Sequence, residues 1–424
     1  MNGIAPASSP LSKLWRRATS EKARGVFLYG LGPALGILSG PILAHAMGAE
    51  GRGQFASIMQ PITMAAAVAS LGIPSAVAYF IARGRNARDC YRLGLFLGIV
   101  PTAIVIAVMV FYGRIVSENQ NIPYFFLLAC WSSIIVSAVV QIRRGSWQGV
   151  GQWRLLDIER GAGAVLRFLF VVVVALVGIT SATYFSAAAL ISFVIAAAIL
   201  FIPLPKDNSR SGDWSSMGKY SLLASIGTIS TIASSRLDQL LMPAAASARE
   251  LGYYAVAVTV AEIPLVLATL AARNSLQKSA KGASNIAIMR ECLFFFAVCV
   301  LAVLAILVTA PIVTPIVFGS DFGPSVLPMQ ILAISSLLTW VSVVASSVLS
   351  GRGYPGIGSV ISIASLGTTV VAFVVFWSAV SSMTASVIAL GSSAVGAIVG
   401  VLLLAKLPRP RRTVEMQHVK EGLA

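Results

Sequence analysis

The sequence predicts an all-α polytopic membrane protein: twelve transmembrane helices in two six-helix lobes related by a parallel internal repeat. Bulk composition, a run of apolar segments of spanning length, and a one-sided distribution of basic residues predict it. Of 424 residues, 57% are hydrophobic and 11% are charged, and the mean hydropathy is +0.87. Soluble domains carry about 25% charged residues. A chain this poor in charge cannot cover a soluble surface, so its solvent is lipid.

Segments of about twenty or more apolar residues mark the spans. They fall at 26–47, 55–82, 92–112, 123–142, 156–178, 183–203, 217–244, 252–275, 290–318, 324–349, 356–378 and 383–405. The basic residues test this division. With both termini in the cytoplasm, the tails and the loops on their side hold 25 Lys and Arg, whereas the opposite side holds three, Arg52, Arg114 and Arg249. Three more, Arg160, Arg167 and Arg236, lie inside spans. A wrong span count would break this alternation. The expected organisation is a tail at 1–25, an N-lobe at 26–203, a linker at 204–216, a C-lobe at 217–405 and a tail at 406–424, with tails and linker cytoplasmic. The basic N-terminus and the "AHA" at 44–46 imitate a secretory signal, but the apolar stretch 26–46 exceeds the usual signal core of about 7–15 residues. It is read as an uncleaved first span.

The same alternation explains the net charge of +16 as an orientation signal, which removes the case for nucleic acid. Cys90 is placed in a basic loop, and Cys130, Cys292 and Cys299 in apolar segments. They form neither a disulfide framework nor a metal-ligand pattern. No cofactor or metal is expected.

Two echoes predict the repeat. Gly53, Phe55 and Ala56 match Gly252, Tyr254 and Ala255 at an offset of 199, and Gly149 and Gly151 match Gly351 and Gly353 at an offset of 202. Six spans is an even number, so both halves enter the membrane in one direction. Parallel repeats of this kind place a cleft between two lobes.

Several stretches then carry a family resemblance. "SSRLDQLLM" (234–242) with "ELGYYAVAV" (250–258) is similar to the seventh and eighth helices of oligosaccharide-lipid flippases of the O-antigen and exopolysaccharide type. These belong to the multidrug/oligosaccharidyl-lipid/polysaccharide exporter superfamily. "GAEGRGQFA", "RGSWQGVGQW" and "PIVFGSDFGPSVLPMQIL" resemble further junctions of that superfamily, in the expected order over about 26–405. The resemblance implies a central cavity, alternating access and a polyprenyl diphosphate-linked oligosaccharide as substrate. It implies residence in the bacterial cytoplasmic (inner) membrane, with a polysaccharide polymerase and chain-length proteins as partners beside the lipid bilayer. The chain lacks the two extra C-terminal helices of the lipid II flippases, and it is expected to act as a monomer.

Charges within spans mark candidate sites, because each costs at least about 2.5 kcal/mol to insert. Arg160 and Arg167 share one face of span five at seven-residue spacing, with the small Gly163 and Ala164 between them leaving room for an anion. Guanidinium groups donate in a fixed fork and suit a diphosphate. Arg167 is the first candidate and Arg160 the second, the competing role for Arg160 being a pair with Asp157. Arg236 and Asp238 point to nearly opposite sides of span seven and cannot pair with each other. Counted from Met217, they lie near the external end, and Arg236 is a further candidate for substrate binding. Glu262, near mid-depth and before Pro264, is a candidate for ion coupling with Asp238, or else neutralises an arginine. Gln60, before Pro61, and Gln141 are candidate polar walls for substrate.

Two other functions are weighed. A membrane enzyme of polysaccharide assembly would need a catalytic group, but the only histidines are His45 and His418, and no paired carboxylates or metal cluster appear. A multidrug or cation antiporter of the same superfamily would favour an acidic cavity over the arginines of spans five and seven.

Overall fold

In a computed structural model the described residues are 21–205, 214–280 and 285–406. The tails beyond them and the middle of the 204–216 linker lie outside. The described chain is helical throughout, as it must be where lipid offers the backbone no hydrogen bonds. The helices are α1 (21–47), α2 (49–70), α3 (Ile73–Ala82), α4 (Ala87–Gln120), α5 (Tyr124–Trp131), α6 (Ser133–Val150), α7 (Trp153–Leu176), α8 (Ala182–Ala198), α9 (Trp214–Ala245), α10 (Ala248–Ala261), α11 (Ile263–Ala280), α12 (Asn285–Phe318), α13 (Val326–Gly351), α14 (Pro355–Val375) and α15 (Ser382–Lys406). Gly48, at φ 65° and ψ −174°, separates α1 from α2. Taking α2 with α3, α5 with α6 and α10 with α11 as broken spans, these helices follow the twelve expected spans in order.

Among the described residues, eight helices are long and apolar enough to cross a membrane, or nine when the pair α10–α11, bent by 46°, counts as one span. That count takes 31–70 as one piece, and the charged α7 and α9 fall outside it. Two expected loops are corrected. Residues 83–92 and 143–154 are largely helical, since α4 begins at Ala87 and α6 runs to Val150. Asn86 explains the early start of α4: its side chain accepts from the Arg88 and Asp89 amides at 3.0 and 3.2 Å, and Asp89 adds an acid to the first turn. Cys90 therefore lies buried in a helix, against the loop position expected. All four cysteines are free and buried.

The chain packs as two compact units, one running to Gly51 and resuming over Pro61–Ile226, the other Arg52–Gln60 with Gly227 onward. In the first, Ile73, Val77, Val140, Ile142, Leu156 and Leu200 centre the core. Where α2 breaks from α3, the Ser221 hydroxyl donates to the Leu71 carbonyl at 2.7 Å, satisfying a group the break frees. In the second, Ala268, Cys292, Cys299, Trp340 and Val344 join α11, α12 and α13.

The second echo acquires a physical meaning within each unit separately. A Cβ on Gly149 would lie 2.7 Å from Ile81 of α3, and one on Gly351 would lie 2.7 Å from the Leu276 carbonyl oxygen of α11. Span four thus presses on span two as span ten presses on span eight. Gly151 and Gly353, at φ 81° and 92°, end the pressing helices in the left-handed conformation that glycine adopts freely.

Candidate functional site

Polar side chains gather at three places. The first lies in the second unit, on α9 and α10. Arg236 reaches the Glu262 carboxylate at 2.6 Å and donates to Gln239 at 3.3 Å. Asp238 accepts from the Tyr254 hydroxyl. Arg236 and Asp238 do not pair, and each finds its partner on the next span. Glu262 sits in the 46° bend between α10 and α11. The pair joins helices in unequal register. Asp238 and Tyr254 lie at matching distances from the α9–α10 turn, but Glu262 is fourteen residues past Ala248 while Arg236 is nine before Ala245. At 1.5 Å per residue, that difference is about 7 Å, which the two side chains bridge together.

Beside this cluster is a cavity of about 340 Å³, lined from α9, α10, α11, α13, α14 and α15 of this unit. Asp238, Tyr254 and Glu262 face it. Much of the remaining wall is serine and threonine, which the reading of the sequence missed. The signal was present: Ser335, Thr339, Ser342 and Ser346 recur at helical spacing along one face of α13.

The second place is α7. Arg167 lies just past the middle of this helix, is exposed, and has no hydrogen bond, ion pair or ring contact among the described residues. Val165, Leu169 and Val173 form an exposed apolar stripe on the same helix. Arg167 is two residues from both Val165 and Leu169, so it projects about 200° away from them. Arg160 is half-buried and does have an interaction partner. Gly163 and Ala164 are half-buried, and a Cβ on Gly163 would stand at ordinary contact, 3.4 Å, from the Ala196 methyl of α8.

The third place is the end of α6. Arg144 forms an ion pair with the buried Glu159 at 2.6 Å. Gln141 accepts from the same Arg144 at 3.2 Å, so it belongs to this pair and is not an open polar wall. Arg143, 6% exposed, donates to the Leu200 carbonyl at 3.0 Å and the Ile202 carbonyl at 2.5 Å. Its guanidinium lies over the rings of Tyr91, Trp147 and Phe201. Trp147 also donates to Leu200, and Arg88 donates twice to the Leu204 carbonyl. These donors hold the last carbonyls of the sixth span, where a helix end carries negative partial charge.

The predicted residues thus fall into separate groups. Arg236, Asp238 and Glu262 come together in the second unit, to which Gln60, half-buried within α2, also belongs. Arg160, Arg167 and Gln141 belong to the first. Among the described residues, no group of three His, Cys, Asp or Glu is placed to hold a metal.

Residues 26–276 match the family described as polysaccharide biosynthesis protein. The chain belongs to that family. Among solved structures, the lipid II flippase MurJ in an inward closed conformation is similar, with a TM-score of 0.72 at 10% identity over 91% of this chain and 88% of that one. An inward-facing multidrug resistance MATE transporter of the MOP superfamily gives 0.70 at 13% identity over 87% and 93%. An outward-facing MATE transporter gives 0.57 at 16% identity over 94% and 97%. A search of curated protein sequences finds no match. The family member described here is a multi-pass membrane protein with the fold of these transporters, as its composition and span pattern predict.

Proposed function

We propose that this protein flips a polyprenyl diphosphate-linked oligosaccharide across the bacterial cytoplasmic membrane, by alternating access, for surface polysaccharide biosynthesis. The lobes 26–203 and 217–405 would move about the cytoplasmic linker, with both tails cytoplasmic. A polysaccharide polymerase and chain-length proteins would take up the delivered units, and no chemistry on the substrate is required of the chain itself. The family match supports this reading, and Arg167 is the observation that carries it. A cation in a span without a protein partner is costly unless an anion or water meets it. A diphosphate is an anion that a guanidinium binds in a fork. Arg160 stands beside it on the same helix. Glu262 and Asp238 serve ion coupling, with Arg236 as the counter-charge to Glu262. Gln60 is a secondary substrate contact.

A multidrug antiporter is the second reading, favoured by the two carboxylates that face the cavity of the second unit. Arg236 neutralises one of them, which weakens that case.

Lipid extracts from a strain lacking the protein, resolved by mass spectrometry, separate the two. Accumulation of diphosphate-linked repeat units with loss of surface polymer supports the flippase. Unchanged lipid intermediates with reduced drug efflux would replace it with the antiporter.

A further inference from the structure

We propose that the cavity of the second unit is a water-filled half-channel, running along α13 from the Arg236–Glu262 pair toward the C-terminal end of that helix. This goes beyond the flippase reading and does not depend on which substrate is carried.

Size is the first observation. The cavity offers about 340 Å³, where about 10–15 Å³ already admits one water, so there is room for many waters. Its lining on α13 extends from Leu332 to Ser347. Fifteen residues of helix are about 22 Å, most of the hydrocarbon thickness of about 30 Å.

Chemistry is the second. Several hydroxyls on the wall donate to their own helices. Thr339 donates to the Ser335 carbonyl at 3.1 Å and Ser342 to the Leu338 carbonyl at 3.1 Å. Across the cavity, Thr369 of α14 donates to Ser365 at 3.0 Å and Ser392 of α15 to Ala389 at 3.0 Å. A hydroxyl bonded to its own helix keeps its remaining lone pair for another donor. The wall is therefore rich in acceptors, while Ser347, Ser362 and Ser365 make no side-chain hydrogen bond among the described residues, so the fitting occupant both donates and accepts, as water does. Near the middle, Ser335, Ser393 and Thr339 are linked by hydroxyl contacts of 2.9 and 3.0 Å, so the polar surface is continuous from α13 to α15.

The position of the two ends is the third. At one end stand Asp238, Tyr254 and Glu262, all facing the cavity. At the other, Ser347 is four residues from the end of α13 at Gly351. Apolar atoms make up most of the wall, but the carboxylates and hydroxyls set along it give a water polar partners that an apolar void lacks. A lipid chain here would leave the row of acceptors unmet. The occupant that fits is a file of water, which brings the Glu262 and Asp238 carboxylates into contact with solvent from the α13 C-terminal end.

Hydroxyl-radical footprinting of the full chain in lipid nanodiscs tests this directly, because radicals form where water is. Val258 and Val343 line the cavity and are partly exposed, whereas Val371 and Leu301 are exposed on the outside of the unit. With water in the cavity, Val258 and Val343 are modified faster than Val371 and Leu301. Ser342→Leu, which fills the middle of the file, removes that excess at Val258, and Ser342→Ala retains it. Equal, slow modification of all four residues in the wild-type chain would overturn the half-channel. The readout involves no transported molecule. A dry cavity in a protein that still flips its lipid refutes this inference alone, and a wet cavity in one that does not flip refutes only the flippase reading.

Discussion

Arg143 and Arg167 carry the same side chain in the same unit and live in opposite circumstances. Arg143 is buried, donates to two carbonyls at the end of the sixth span, and lies against three aromatic rings. Arg167 is exposed in mid-helix without a partner among the described residues. The first is consumed by the fold. The second is left available, on the side of its helix away from the apolar stripe. Arg236 in the other unit stands between these extremes, paired with Glu262 but with 39% of its side chain exposed. A cation inside a membrane protein is thus informative only once its partners are known.

Substitutions sharpen this comparison. Arg167→Ala has the largest effect on function. Two charge-assisted hydrogen bonds to a diphosphate, at about 1.5–3 kcal/mol each, amount to a loss of export of at least about a hundredfold. Membrane insertion and yield remain normal, and Arg167→Lys falls between because it keeps charge without the fork. Polymer export and membrane content, measured on one set of cells, check both halves. Wild-type export by the alanine variant would erase the distinction from Arg143.

Arg143→Ala acts on stability. It strips donors from two carbonyls and a cation from three rings, for about 3 kcal/mol. Unfolding of purified protein in detergent reads this loss, while export per folded molecule stays near normal. A variant as stable as the wild type would place Arg143 outside the framework.

For Arg236, the sharper probe is a double-mutant cycle with Glu262, using methionine at each position. Both side chains are more than a third exposed, so the coupling is about 1 kcal/mol, less than a fully buried pair would show. A coupling near zero would mean that solvent screens the pair completely. Trp147→Phe has an effect of similar size: it removes one hydrogen bond to Leu200 and costs about 1 kcal/mol, read by the same unfolding measurement.

The fold was largely legible in the sequence because lipid leaves the backbone few options. Span length, apolarity and the alternation of basic loops are physical requirements, and the helices from α1 to α15 follow them in order. The loops were the weak point. "RNARDC" and "RRGSWQG" read as polar connections, but Asn86 caps α4 early, and Arg143 and Trp147 extend α6 by bonding to the end of the sixth span. Those partners are some 55 residues away, at Leu200 and Ile202, beyond the reach of local pattern.

The site was legible by residue type more than by arrangement. Charges in spans announce themselves, and Arg236, Asp238 and Glu262 do lie together. Neutralising an arginine was one of the two roles read for Glu262, but which arginine could not be read, because counting residues gives the position of a Cα and not the reach of a guanidinium. Gly163 shows the same limit. A small residue on a helix face signals either an open space or a neighbour, and here the Ala196 methyl would stand at ordinary contact from a Cβ. The serines of α13 passed unnoticed because hydroxyls bonded to their own helix look like ordinary membrane-helix composition.

The most direct measurement is thermal unfolding of the purified wild-type protein and its Arg167→Ala variant, each with and without an isoprenoid diphosphate sugar. A ligand at a hundred times its Kd stabilises the folded state by about 2.7 kcal/mol. If Arg167 receives the diphosphate, the wild-type transition rises with ligand while the variant's does not. An equal rise in both would contradict the assignment of Arg167 to the substrate.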